Sequence, residues 1–170
     1  MPVPAYNGVE ANVADEIIPG LWLGDRRAAL DPQWMGEKGI KCVFNCTKDI
    51  PFLPSVQRTY RVPVDDNLQP VEIRNLELWS YEIVMKMTRE YKTGQPMLIH
   101  CHAGMQRSAA CLTMFLIATR NMSPDQAIAY IQQRRPIAMR PFANFSDAIH
   151  GFFESYQKDV ILSTLNSKQF

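Results

Sequence analysis

Residues 97–118, MLIHCHAGMQRSAACLTMFLIA, constrain what this chain can fold into more than any other stretch. Two apolar segments suited to a core flank a polar interval of His100, Cys101, His102, Gly104, Gln106, Arg107 and Ser108. The short bulky run before the interval reads as a buried strand. Residues 107–120, apolar nearly all round, read as a helix enclosed by other elements. A strand that turns tightly into a buried helix makes an anion site, because the first N–H groups of a helix lack intrahelical partners. The helix dipole adds about half a positive charge at that end. A compact loop around Gly104 can turn successive N–H groups inward as a nest, and Arg107 adds a planar fork suited to two phosphate oxygens.

Cys101 stands at the other end of the same loop. A helix N-terminus and a neighbouring cation lower a thiol pKa, so the expectation is a thiolate aimed at whatever anion the loop holds. A thiolate facing an oxyanion cradle is a nucleophile facing a phosphoryl group. The N–H groups and Arg107 can stabilise that group without a metal ion. The pattern is specific. Judged against this composition, a His-Cys-x2-Gly-x2-Arg-Ser match arises by chance about 10⁻⁵ times per chain.

The remaining segments place this loop in an α/β domain. IIPGLWLG reads as a strand, as do IKCVFNC (40–46), TYRVPV (59–64) and MLIH. Asp31-Pro32 opens a short helix through Trp34 and Met35. Ile73, Leu76, Ile83, Val84, Met87 and Tyr91 recur at helical spacing over 71–92. Ser123, Pro124 and Gln126 form a capping-box start for the next helix, and a last one from about 143 to 166 carries Phe145, Ile149, Phe152, Tyr156 and Val160 on one face. Four short strands with helices before and after predict a single compact domain, a small mostly parallel central sheet flanked by helices. The expected boundaries are an N-terminal arm over 1–14, a catalytic domain over 15–166 and a C-terminal tail over 167–170.

A net charge of +1 argues against nucleic acid as a partner, and no apolar run is long enough for a membrane span. The first 16 residues lack the basic and apolar regions of a signal peptide, and the four cysteines do not form a disulfide scaffold. Together these predict a cytoplasmic or nuclear protein with reduced thiols. The Val and Pro content of the arm makes it a candidate contact for a homodimer. His100, Cys101 and His102 show no zinc-ligand spacing, so neither a metal nor another cofactor is expected.

HCHAGMQRS resembles the signature of cysteine-based protein phosphatases, and the flanks IIPGLWLGD, GIKCVFNCT and RVPVDDN resemble their compact dual-specificity branch over about residues 15–160. The resemblance implies the cysteine phosphatase fold and hydrolysis of phosphotyrosine and phosphoserine or phosphothreonine in phosphorylated proteins. Position by position, it makes Cys101 the nucleophile that becomes phosphorylated. Arg107 and the backbone N–H groups of His102, Ala103, Gly104, Met105, Gln106 and Arg107 would bind the phosphate. Ser108 would assist departure of the thiolate, while His100 and Asn45 would support the loop. Counting from Val62-Pro63, the general acid falls on Asp66, with Asp65 beside it. Adjacent carboxylates repel, so one of the pair holds its proton longer.

The family's Pro-Asn before the last helix is here Pro141-Phe142, which leaves either Asn144 or another group to brace the loop. Arg134, Arg135 and Arg140 read either as solvated or as lining the cleft. Cys42 and Cys46 share a strand face and read as core, and a reversible Cys46–Cys101 disulfide is one further reading. Relatives acting on RNA 5′-triphosphates or phosphoinositides tend to carry Lys or a Thr-His pair in the loop, which this chain lacks. A non-catalytic phosphopeptide-binding module would have lost the Cys, the Arg or the acid, and all three are present.

Overall fold

The computed structural model describes residues 2–168. Asn7 and Gly8, at φ 50° and 76°, join β1 (Ala5–Tyr6) to β2 (Val9–Glu10). Left-handed backbone at both central positions is what an Asn-Gly turn favours. The stretch expected as a loose arm, and as a contact for a second copy, therefore carries a hairpin. Ala11 N–H donates to Pro4 O at 2.8 Å, and Pro4 is buried against the chain's own fold.

The one strand expected over IIPGLWLG is instead the corner of an antiparallel pair, β3 (Ala14–Ile18) and β4 (Leu21–Gly24). Gly20, at φ 82°, reverses the chain between them. A single-turn helix not expected from sequence, α1 (Arg26–Ala29), follows at once, because the Asp25 carboxylate accepts from Arg27 N–H and caps it. Helix α2 (Pro32–Lys38) starts on Asp31, whose side chain accepts from Gln33 N–H and Trp34 N–H, and ends at Gly39 in the left-handed region.

Strand β5 (Cys42–Asn45) lies beside β6 (Arg58–Arg61). β6 stops short of residue 64, since Pro63 has no N–H to offer a ladder and Val64 N–H turns back to Val62 O at 3.0 Å. Then come α3 (Pro70–Tyr91), β7 (Met97–His100), α4 (Arg107–Arg120), α5 (Pro124–Arg134) with both halves of its capping box formed, and α6 (Ser146–Ser167).

The sheet has five strands in the order β3-β4-β7-β5-β6, parallel throughout except for the β3/β4 pair. Alternation along the strands sorts the core into two layers. Val43 and Leu98 pack with Ala28, Ala29 and Met35 of α1 and α2. Cys42, Phe44, Met97 and Ile99 face the larger layer built from α3 to α6. β7 is central and bonded on both sides, so the loop that leaves its carboxyl end starts from a rigid point. Ligand sites of open α/β sheets form at such strand ends.

Helix α6 departs from its expected apolar face. Phe145, Ile149 and Phe152 are buried, Tyr156 is half-buried, and Val160 is 46% exposed. From residue 157 to 168 every residue is exposed, because the helix continues past the core. Of the expected tail, Ser167 closes α6, while residues 169 and 170 lie outside the described residues. No helix among the described residues is long and apolar enough to cross a membrane.

Candidate active site

β7 delivers Cys101 and α4 begins at Arg107, so the six residues between strand and helix wrap around the helix N-terminus. The residues expected in this loop do converge. Cys101, Arg107 and Asp66 line one cavity of about 300 Å³, with Met105, Arg140 and Asn144 among its walls. Gly104 takes φ 63°. A Cβ there would sit 2.5 Å from Gly24 O and 2.7 Å from Arg135 Nη2, so no side chain fits. Gly104→Ala is expected to cost about 1–3 kcal/mol of stability from backbone strain alone and to displace the loop. A lowered urea midpoint together with lost phosphate-ester turnover is the result to look for.

Cys101 Sγ lies 3.1 Å from Ser108 Oγ. Burial pushes this thiol up, but the Arg107 charge, the Ser108 hydroxyl and the N–H groups of Ser108 and Gly104 together outweigh burial and hold it below its ordinary value. Arg107 is buried and spends one Nη1–H on Val64 O at 3.1 Å. Among the described residues its Nε–H has no partner. A buried guanidinium donor without an acceptor carries a desolvation cost that a bound oxyanion removes.

His100 is buried, and burial lowers its pKa to about 4, so near neutral pH the ring is uncharged. Its Nδ1–H donates to Cys101 O at 3.2 Å, which makes it a brace of the loop rather than a charge beside the thiolate. His102 sits at the rim, its Nε2 3.0 Å from Asp49 Oδ1. The two histidines thus point to different partners.

Asn45, expected to support this loop, serves a neighbouring one with its side chain. Nδ2 donates to Ile50 O at 2.7 Å, and Oδ1 accepts from Thr47 N–H and Thr47 Oγ1–H. Among the described residues none of its side-chain bonds reaches 101–107.

The two adjacent aspartates part company. Asp65 is drawn to Lys48 Nζ at 2.9 Å, and its own N–H donates to Glu72 Oε2 at 2.9 Å. Asp66 is exposed at the cavity, where Asn144 Nδ2–H donates to its Oδ1 at 2.8 Å. The Asn144 side chain therefore holds the aspartate and not the loop. The missing Asn of the Pro-Asn pair is replaced from inside the loop by Gln106. Its Oε1 accepts from Asn144 N–H at 2.9 Å, and its Nε2 donates to Phe142 O at 2.8 Å and Arg140 O at 3.3 Å.

The three arginines also separate. Arg134 bonds Tyr130 O and stacks over the Tyr130 ring, away from the cavity, while Arg140 lines it. Arg135 does neither. It is fully buried beneath the loop, donating from Nε to Gly104 O at 2.8 Å, from Nη2 to Ala103 O at 3.1 Å and from Nη1 to Asp15 Oδ2 at 2.9 Å. Asp25 Oδ2 lies 3.8 Å from its Nη2. Sequence reasoning missed this Arg135–Asp15–Asp25 support and the Gln106 bridge. The one available signal was Asp25 between a strand end and two arginines, the pattern of a capping residue.

Residues 21–154 match the family model described as dual specificity phosphatase, catalytic domain. Human dual specificity protein phosphatase 2 is 32% identical over 129 residues, covering 75% of this chain and 40% of that protein. Human dual specificity protein phosphatase 8 is 28% identical over 147 residues, covering 85% of this chain and 22% of that protein. The chain thus spans between about a fifth and two fifths of these curated relatives. The crystal structure of human DUSP28 is 26% identical and superimposes with a TM-score of 0.74, covering 86% of this chain and 96% of that one.

Proposed function

The chain belongs to the dual specificity phosphatase family, and on that premise we propose that it hydrolyses phosphate esters of tyrosine and of serine or threonine in proteins through a phosphocysteine on Cys101. The observation that carries this reading is the meeting of Cys101, Arg107 and Asp66 in one cavity. The Cys101 thiolate attacks phosphorus while Arg107 and the loop N–H groups hold the three equatorial oxygens. The P–O bond to the side chain breaks, and the leaving oxygen takes its proton from Asp66. In the second step Asp66 accepts a proton from the attacking water, the P–S bond breaks, and Ser108 Oγ–H bonds the departing thiolate. Charge stabilisation in both steps is the work of the chain's own donors, so the activity is metal-independent. Four free buried thiols accord with a reducing, cytoplasmic or nuclear setting.

The test is p-nitrophenyl phosphate turnover in EDTA, with Cys101→Ser as control. Turnover in the parent and only background in the variant is expected; equal rates in the two would end this reading. The proton roles give a second prediction. The attacking sulfur must be a thiolate, so kcat/KM rises with pH through the lowered Cys101 pKa. Asp66→Asn is expected to lower kcat for phenyl phosphate by about 10²–10³-fold while keeping that rise. A loss of that size in Asp65→Asn, with Asp66→Asn near the parent, would give the acid role to Asp65.

A further inference from the structure

The segment that carries Asp66 is tied down on both sides of it. Val64 O accepts from Arg107 Nη1–H at 3.1 Å, and Asp65 bonds Lys48 and Glu72. Beyond Asp66, Asn67 Oδ1 accepts from Gln69 N–H at 3.0 Å, and Leu68 turns the chain at φ 61°. None of these contacts reaches the Asp66 carboxyl group. Among the described residues its one side-chain partner is Asn144, whose Nδ2–H donates to Oδ1 at 2.8 Å.

Asn144 is itself fixed to the phosphate loop. Its own N–H donates to Gln106 Oε1 at 2.9 Å, and Gln106 Nε2 donates to Phe142 O at 2.8 Å. One buried side chain of the loop thus holds the backbone on both sides of Ala143. Met139 N–H adds a further stitch, donating to Met105 O at 2.7 Å. The Asp66 carboxyl group is therefore held, through Asn144 and Gln106, by the same loop that carries Cys101 and Arg107.

The Asn144 bond also sorts the two carboxyl oxygens. A neutral carboxyl group has one O–H donor, and an oxygen that already faces an N–H is the wrong place for that proton. With Oδ1 taken by Asn144, the proton sits on Oδ2. We propose that Asn144 is a positioning residue for the proton donor: it holds Asp66 by Oδ1 and leaves the proton on Oδ2 for the leaving oxygen. The inference rests on the reading of Asp66 as the general acid. In the first step the S–P bond forms, the P–O bond breaks, and the Oδ2 proton passes to the leaving oxygen. The carboxylate that results keeps its Asn144 bond, now to a charged acceptor and so stronger. In the second step Oδ2 takes a proton from the attacking water as the P–S bond breaks, which restores the acid.

The experiment compares kcat/KM of the full chain on two aryl phosphates. Phenyl phosphate needs a proton on its leaving oxygen, whereas dinitrophenyl phosphate expels a phenolate stable enough to depart without one. Asn144→Ala is expected to lower the value for phenyl phosphate by roughly 30-fold and to keep that for dinitrophenyl phosphate within about twofold of the parent. Asn144→Leu, which keeps the branched shape and the N–H bonded to Gln106 but has no side-chain donor, should behave as Asn144→Ala does. In an Asp66→Asn background, Asn144→Ala should add less than about twofold on phenyl phosphate. Equal losses on the two esters are what a merely structural role would give, and they overturn the proposal. So does an Asn144→Leu variant that matches the parent on phenyl phosphate. Asp66→Asn alone reports separately on the acid: without a larger loss on phenyl phosphate than on dinitrophenyl phosphate, that assignment falls and this proposal with it.

Discussion

Arg107→Lys is expected to lower kcat/KM for p-nitrophenyl phosphate by about 10³-fold, although the positive charge is kept. The guanidinium already spends one Nη1–H on Val64 O, which fixes its plane, and among the described residues its buried Nε–H has no acceptor. That geometry presents a fork of donors to the cavity rather than a point charge. An ammonium group on a flexible stem cannot bond Val64 O and two phosphate oxygens together. The loss should fall on both kcat and KM, because the fork meets the phosphate in the ground state and gains strength as charge spreads over the equatorial oxygens. A Lys variant within about threefold of the parent would mean that charge alone is needed.

Arg135→Met is expected to destabilise the fold by about 3 kcal/mol and, for a domain of this size, to lower Tm by roughly 10 °C. The side chain is fully buried, and its donors satisfy two loop carbonyls, Gly104 O and Ala103 O, the Asn12 carbonyl, and the Asp15 carboxylate. Methionine fills much of the volume but returns none of these bonds. Asp15, whose side chain is 15% exposed, loses its ion-pair partner, whereas Asp25 keeps Arg27 at 2.7 Å. Leaving one buried partner of an ion pair uncompensated is what makes such a change costly. Phosphate-ester turnover should fall as well, because Gly104 and Ala103 belong to the loop that aims its N–H groups. Equilibrium urea unfolding and a kcat/KM measurement below the melting range separate the two effects. Unchanged stability would show that the Arg135 network is replaceable by apolar packing.

The chemistry of the loop was legible because its parts are contiguous. Strand, nucleophile, glycine, arginine and helix follow one another within residues 97–120, and local sequence is enough to assemble them. What the loop rests on was not legible. Arg135 reads as a surface residue at the end of an amphipathic helix, and only the return of α5 over β3 places it under Gly104 and against Asp15. The choice between Asp65 and Asp66 likewise depends on Lys48 and Glu72, which come from other parts of the chain and draw Asp65 aside. Repulsion between neighbouring carboxylates could not tell the two apart.

The hairpin of residues 5–10 carried a readable Asn-Gly signal, but two-residue strands are too short to show alternation. Pro19-Gly20 is a chain reversal inside the stretch expected as one strand. The error lay in treating both sides of it as one strand, which cost the sheet its antiparallel edge. Val160 continued an apolar face by spacing alone, at a point where the helix has already left the core.

The central claim is that the phosphoryl group passes through Cys101, and rapid acid quench during turnover tests it directly. Ser108→Ala removes the hydroxyl that bonds the departing thiolate, so the second step should become limiting in that variant. Intact-mass and peptide mass spectrometry should then find nearly every molecule one phosphoryl group heavier on the peptide holding Cys101, preceded by a burst of one equivalent of p-nitrophenol. Steady turnover with no burst and no phosphoryl group on that peptide, or with the group on another residue, would contradict the account.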